Sequence, residues 1–155
     1  MEPTKLNLVA LNNANFKTSK YADELCNKLM SRLGFKVRHE AARLSIARSL
    51  AVDEVPRALN TAHAESDGQV IRGVQLFGDD LAVWTGLLIE HAGRADLSLR
   101  ELQDMVRLHW HRGAVLLTDE WKKAEGNFDK FLRKLAALAG VRTNDAEDKF
   151  SGLNS

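Results

Sequence analysis

Leucines at positions 25, 29 and 33 recur at i, i+4 and i+8 in an otherwise polar stretch, which predicts a helix over about Tyr21 to Leu33 with one apolar face. Ser19 stands where an N-cap belongs, and Gly34 where a helix stops. A second periodic stretch, Val37 to Ala51, is crowded with small residues: Ala41, Ala42, Ser45, Ala47 and Ser49 sit among Leu44, Ile46 and Leu50. The distance between packed helices depends on the side chains at the contact, so this composition predicts a central helix that others approach closely.

Between Val52 and Gly78 the pattern breaks. Pro56, a polar patch at Glu65 to Gly68 and a short apolar pair, Val70 and Ile71, predict a long connection holding at most a short helix near Arg57 to Ala64. Periodicity resumes with Leu81, Trp84, Leu88 and His91, capped at its start by an Asp of the pair Asp79-Asp80 and closed near Gly93. Ser98-Leu99-Arg100-Glu101 is a capping box, and it opens the longest predicted helix, which carries Leu102, Met105, Val106, His109, Leu116 and Leu117. Asn127 is placed to cap a last helix, Phe128 to Ala139, with Phe128, Phe131, Leu132, Leu135 and Leu138 on one apolar face before Gly140. The expected fold is all-α: a compact single-domain helical bundle of about five helices over residues 1–140, followed by a polar C-terminal tail over 141–155.

Composition supports one packed core. The 155 residues are 45% hydrophobic and 28% charged, which excludes a collagenous or intrinsically disordered chain. A single cysteine, Cys26, rules out an internal disulfide framework and fits a reducing compartment. Beside the leucine stripe it reads as a small hydrophobe rather than a nucleophile. The first ten residues carry one lysine and a broken apolar run, which predicts no secretory leader. The longest nearly apolar stretch, Leu81 to Ile89, is too short to span a bilayer, so a cytoplasmic protein without a membrane segment is expected.

Charge changes this plain picture, because a formal net charge of +1 hides a strong segregation. Residues 1–50 hold nine basic and four acidic groups, residues 51–105 four and ten, and residues 106–155 nine and seven. Lys28, Arg32, Lys36, Arg38, Arg43 and Arg48 are set against the single acid Glu40, and Lys17 and Lys20 extend the run. Such a surface suits phosphates, whose neutralisation supplies most sequence-independent affinity for DNA. The same charges also read as a solvated helix surface, paired with the acidic middle third of this chain or of a neighbouring subunit. Only Phe16, Tyr21 and Phe35 are interleaved with them, which favours a duplex backbone over stacked single strands.

Motifs for catalysis are weaker. His109 and His111 lie two apart on a predicted helix and point about 200° from each other, so they cannot share one metal ion; His109 reads as a core-edge histidine. Asp79, Asp80, Glu90, Asp96, Glu101 and Asp104 lack the tight spacing of a magnesium site. No phosphate-cradling glycine loop is present. No catalytic residue, metal or cofactor is therefore assigned, and Trp84, Trp110 and Trp121 read as core or subunit-interface anchors. Two other readings remain open: a metal-dependent DNA nickase using Asp79, Asp80 and Glu90, and a structural adaptor whose basic third docks onto an acidic partner.

Taken in order, Phe16-Lys17-x-Ser19-Lys20, the Leu25 and Leu29 helix, Arg43-Leu44-Ser45-Ile46-Ala47-Arg48-Ser49-Leu50, Leu76-Phe77-Gly78-Asp79 and His109-Trp110-His111-Arg112-Gly113-Ala114-Val115-Leu116-Leu117 resemble the DNA sulfur modification protein DndE family. This is the E component of bacterial DNA phosphorothioation (Dnd) systems, and the resemblance spans roughly Phe16 to Leu138. It implies a compact helical protein that assists the replacement of a non-bridging phosphate oxygen of DNA by sulfur. The sulfur chemistry itself is implied to belong to partner proteins, the C and D components. The resemblance further implies duplex DNA binding with a preference for nicks, and homo-oligomers such as a tetramer. Phosphate contacts are then expected from the pool Lys17, Lys20, Lys28, Arg32, Lys36, Arg38, Arg43 and Arg48, with Arg43 and Arg48 read alternatively as turned inward by their alanine-rich helix to pair with Asp79 or Asp80.

Overall fold

The computed structural model describes residues 5–58, 67–138 and 140. In chain order the elements are α1 (Leu8–Asn13), β1 (Asn15–Ser19), α2 (Lys20–Leu33), α3 (Arg38–Leu50), β2 (Asp67–Arg72), α4 (Gly73–Phe77), a 3-10 turn (Gly78–Asp80), α5 (Leu81–Ala92), α6 (Leu99–Lys123) and α7 (Phe128–Leu138). The expected helical class holds, with additions: the short helices α1 and α4 beyond the five expected, and the antiparallel pair β1–β2. The chain divides into two compact units, Met1–Thr118 and Asp119–Ser155, with the boundary inside α6. The expected tail over 141–155 and most of the short helix expected near Arg57 to Ala64 fall outside the described residues; Arg57 and Ala58, which are described, are not helical.

Local signals place the helix ends. Ser19 Oγ accepts from the Ala22 N–H at 3.1 Å and caps α2, which stops at Gly34 in the left-handed region with φ of 74°. Ser98 and Glu101 close the capping box reciprocally: the Glu101 N–H donates to Ser98 Oγ at 3.2 Å, and the Ser98 N–H to the Glu101 carboxylate at 3.3 Å. At α5 the expectation needs correction. Asp80 makes no side-chain cap bond, and the 3-10 turn, entered through Gly78, feeds directly into the helix.

The strand pair was not expected. β1 alternates Phe16 and Thr18 inward with Lys17 outward, and it pairs Phe16 with Ile71, Lys17 with Val70 and Ser19 with Asp67, with an irregularity between Lys17 and Ser19. Phe16 is fully buried and meets the Phe77 ring edge-on at 5.5 Å between centroids. The pair ends at Gly73, whose N–H donates to the Ala14 carbonyl at 2.8 Å. A side chain at Gly73 would collide with the Leu11 carbonyl, so only glycine fits this crossing.

The core of the first unit is built on α3, as its small residues predict. Ala41, Ala42, Ser45, Ile46 and Ser49 are buried, and the backbone of α6 reaches Ser45 at Gly113. Around that crossing lie Val106, Trp110 and Ala114 of α6. The Trp110 indole N–H donates to Cys26 Sγ at 3.4 Å, and burial raises the thiol pKa, so Cys26 is an inert core group.

In the second unit, Glu125 and Gly126 both take left-handed conformations, and Asn127 Oδ1 accepts from the Lys130 N–H at 3.0 Å to start α7. Phe131 is buried, with its ring 5.4 Å from that of Trp121. Phe128, Leu132 and Leu138 remain about half exposed, so the apolar face expected to turn inward along this helix does so chiefly at Phe131.

Candidate nucleic-acid interface

The buried side of α2 comprises Ala22, Leu25, Cys26 and Leu29. Helical geometry then turns Lys20, Lys28 and Arg32 to solvent in one row, spaced by multiples of four and interrupted at Glu24. Gly34 reverses the chain, and Lys36 and Arg38 follow, exposed, in the turn and at the start of α3. Val37 supplies no side-chain cap to α3, so the positive end of that helix lies beside these two cations.

Arg38, Arg43 and Arg48 are five residues apart, which rotates each about 140° from the previous one. They cannot share a face. Arg43 and Arg48 are half-buried, and the buried Nε of Arg43 has no hydrogen-bond partner among the described residues. The structure thus brings Lys20, Lys28, Arg32, Lys36 and Arg38 to the surface across α2 and its turn, and directs the last two arginines partly inward.

Lys17 is exposed but engaged. Its Nζ donates to Asp67 Oδ2 at 2.9 Å, while Arg107 Nη1 donates to Asp67 Oδ1 at 2.8 Å and to the Thr18 carbonyl at 3.0 Å. The Lys17 bond and the two positive charges hold the Asp67 carboxyl below the usual carboxylate range. Reading the sequence for basic runs in the first third missed Arg107, and with it Arg100. The signal available was their spacing: Arg100, Gln103, Asp104 and Arg107 fall at i, i+3, i+4 and i+7, one face of α6.

The two histidines of α6 part company as expected. His111 Nδ1 is 2.6 Å from Ser19 Oγ, the same atom that caps α2, and its ring is 5.9 Å from that of Tyr21. His109 is fully buried rather than at the core edge, with Nδ1 bonded to Ser49 Oγ at 2.8 Å and its ring edge-on to His91 at 4.9 Å. Burial, assisted by His91 and Arg112, pushes its pKa down to about 3. Arg112 closes the end of α3, its Nε donating to Ser49 Oγ at 2.7 Å and its two terminal nitrogens to the Ser49 and Glu54 carbonyls. Its donors serve the fold.

The carboxylates of the nickase reading are not brought together. Asp79 and Asp80 are exposed in the 3-10 turn, and Glu90 is exposed in the last turn of α5, about 15 Å away by helical rise. Among the described residues, no three His, Cys, Asp or Glu side chains are grouped to hold a metal ion. Beside α5 lies a cavity of about 500 Å³ with Leu50, Trp84 and Leu87 on its apolar wall and Asp53 and Glu90 among its polar groups. Val83 and Leu87 continue that apolar surface outward, 61% and 45% exposed. No helix among the described residues is long and apolar enough to cross a membrane.

The family model of the DNA sulphur modification protein DndE matches residues 15–125. No curated protein and no solved structure gives a match. The matched span begins with the first residue of β1 and ends in the turn after α6, so it takes in the strand pair, the exposed basic row of α2 and the α3–α6 core. On that span the chain belongs to the DndE family, and with it to the Dnd system of DNA phosphorothioation.

Proposed function

We propose that this protein is the accessory DNA-binding subunit of its phosphorothioation system. It binds duplex DNA, nicked in preference to intact, presents it to the sulfur-inserting C and D components in the cytoplasm, and performs no catalytic step of its own. The observation that carries this reading is the exposed set Lys20, Lys28, Arg32, Lys36 and Arg38 on α2 and its turn. Five exposed cations spread along a helix and its turn suit a run of backbone phosphates better than a single small anion. The preference for nicks is what the family resemblance implies.

Self-association into a homo-oligomer such as a tetramer belongs to the same proposal. The first third of the chain is basic and the middle third acidic, so two copies have complementary surfaces to offer each other. The apolar outer side of α5, with Val83, Leu87 and the partly exposed Trp84 near Asp53 and Glu90, has the make-up of such a contact.

The test is a binding titration of the purified protein against intact, nicked and single-stranded DNA of one sequence, over a range of salt, with magnesium and again with chelator. The expected result is binding that weakens steeply with salt, is tightest for nicked duplex and leaves every strand uncut. Absence of binding at about 50 mM salt, where counterion release favours it most, would overturn the proposal. So would magnesium-dependent cutting by the purified protein.

A further inference from the structure

We infer that the polar cavity between the β1–β2 pair and α6 is a binding site for the phosphate ester of a nucleotide. The inference rests on the DNA-binding reading above and places a contact on β1 and α6, outside the basic row of α2. The cavity has a volume of about 530 Å³, and its walls are Asn15, Lys17 and Val70 from the strands and Arg100, Gln103, Asp104 and Arg107 from one face of α6. That volume lies within the range of small-molecule sites.

The walls carry three cations, Lys17, Arg100 and Arg107, and one carboxylate, Asp104, and two of the cations are held in place by Asp67. Asp67 uses one oxygen for Lys17 and the other for Arg107, and the Thr18 carbonyl takes a further bond from Arg107. Arg107 is tied at both contacts, with a side chain only 16% exposed. Asp67 lies between the guanidinium and the ammonium and offsets their mutual repulsion, so both cations are held at the wall while two positive groups share one negative one. An ammonium carries three donors, of which Asp67 takes one, so Lys17 has donors for an oxyanion. Arg100, two turns earlier on α6 and exposed, adds a planar fork suited to a phosphate.

The remaining walls select within the anions. Gln103 donates its amide N–H to the Asn15 carbonyl at 2.9 Å, which fixes the amide plane and leaves its oxygen as an acceptor. Asp104 is a second acceptor. A bare polyanion has nothing to give to these two groups, whereas a nucleotide offers a base amino group beside its phosphate, and a free mononucleotide or a 3′ end offers a sugar hydroxyl as well. The same chemistry is supplied by a unit of a DNA strand and by a free mononucleotide, and the experiment separates them.

Amide NMR spectra are recorded with a short DNA duplex and, separately, with deoxyadenosine 5′-monophosphate, following Asn15, Lys17, Val70 and Gln103. Duplex binding is also measured across salt for the wild type and for Arg100→Glu, a substitution at an exposed position, with circular dichroism as the check on folding. At least one ligand is expected to shift those four amides. Shifts by the duplex, together with a weaker Arg100→Glu complex whose salt slope is smaller by about one, identify the DNA strand as the source. Shifts by the mononucleotide alone identify a free nucleotide. If neither ligand moves these amides and Arg100→Glu keeps full affinity and slope, the site is overturned. Should Lys28→Glu weaken the duplex complex in that same experiment, the DNA-binding reading stands without the site. A wild type that binds no DNA at all sinks that reading, and the mononucleotide then decides the site alone.

Discussion

Gly113 of α6 lies against the carbonyl oxygen of Ser45 on α3, so closely that a side chain at Gly113 would collide with the α3 backbone. This crossing sets the spacing of the first unit. It lets Trp110 reach Cys26 on α2, and brings His109 and Arg112 to Ser49 one turn along α3. Gly113→Ala gains about 1 kcal/mol of helix propensity but must force two helices apart, so a net loss of about 1–3 kcal/mol is expected from urea melts. Unchanged stability would show that the two helices do not meet at this point.

The basic row makes a prediction in the salt dependence of binding. The double charge reversal Lys28→Glu with Arg32→Glu should weaken binding to every DNA sequence alike and lower the slope of log affinity against log salt by about one for each phosphate left without its cation. Arg112→Ala should do something different: it removes the guanidinium donors to Ser49 Oγ and to the Ser49 and Glu54 carbonyls and lowers the melting temperature. Full affinity in the double variant would show that the row does not face DNA.

His109 makes the fold sensitive to acid. Its pKa is pushed from 6.5 down to about 3 in the folded chain, so between those values the unfolded chain takes up a proton that the folded chain refuses. Stability is therefore complete above about pH 6.5 and is lost as pH falls toward 3, by about 1.4 kcal/mol for each pH unit. Chemical melts between pH 6.5 and 5, where most carboxylates stay ionised in both states, isolate this effect. His109→Gln should flatten the loss in that interval; equal pH slopes for wild type and variant would refute the buried neutral histidine.

The apolar side of α5 predicts the behaviour of the assembly. Val83→Lys with Leu87→Lys places two cations on largely exposed positions, which should leave the fold of each copy intact. If this side joins copies, light scattering should report a smaller particle than the wild type at the same concentration. An unchanged mass would place the contact elsewhere.

Much of the helical fold was legible because its signals are local. The Ser19 cap, the Ser98–Glu101 box, the Gly34 stop and the Asn127 cap each act within one turn, and each is found where the sequence places it. The small residues of α3 likewise announced a close helix contact. What they could not announce is the partner, since Gly113 lies more than sixty positions from Ser45 in the chain. The family was legible as well, because it rests on the order of short segments along the chain.

Tertiary structure decided what depends on distant chain segments. β1 and β2 are each too short to declare themselves, and β1 becomes a strand because Phe16 and Thr18 find a buried side once Asp67–Arg72 lies alongside. Sequence pooled eight cations of the first third and set only Arg43 and Arg48 apart, as residues an alanine-rich helix would turn inward; packing divided them further: five face solvent on α2 and its turn, Lys17 is drawn to Asp67, and Arg43 and Arg48 turn partly inward with the rotation of α3. Sequence alone determined where the five longer helices lie and how much positive charge they carry, because caps and periodicity act between neighbours. Only the folded chain determined where that charge points, because direction depends on which side of each helix its distant partners cover.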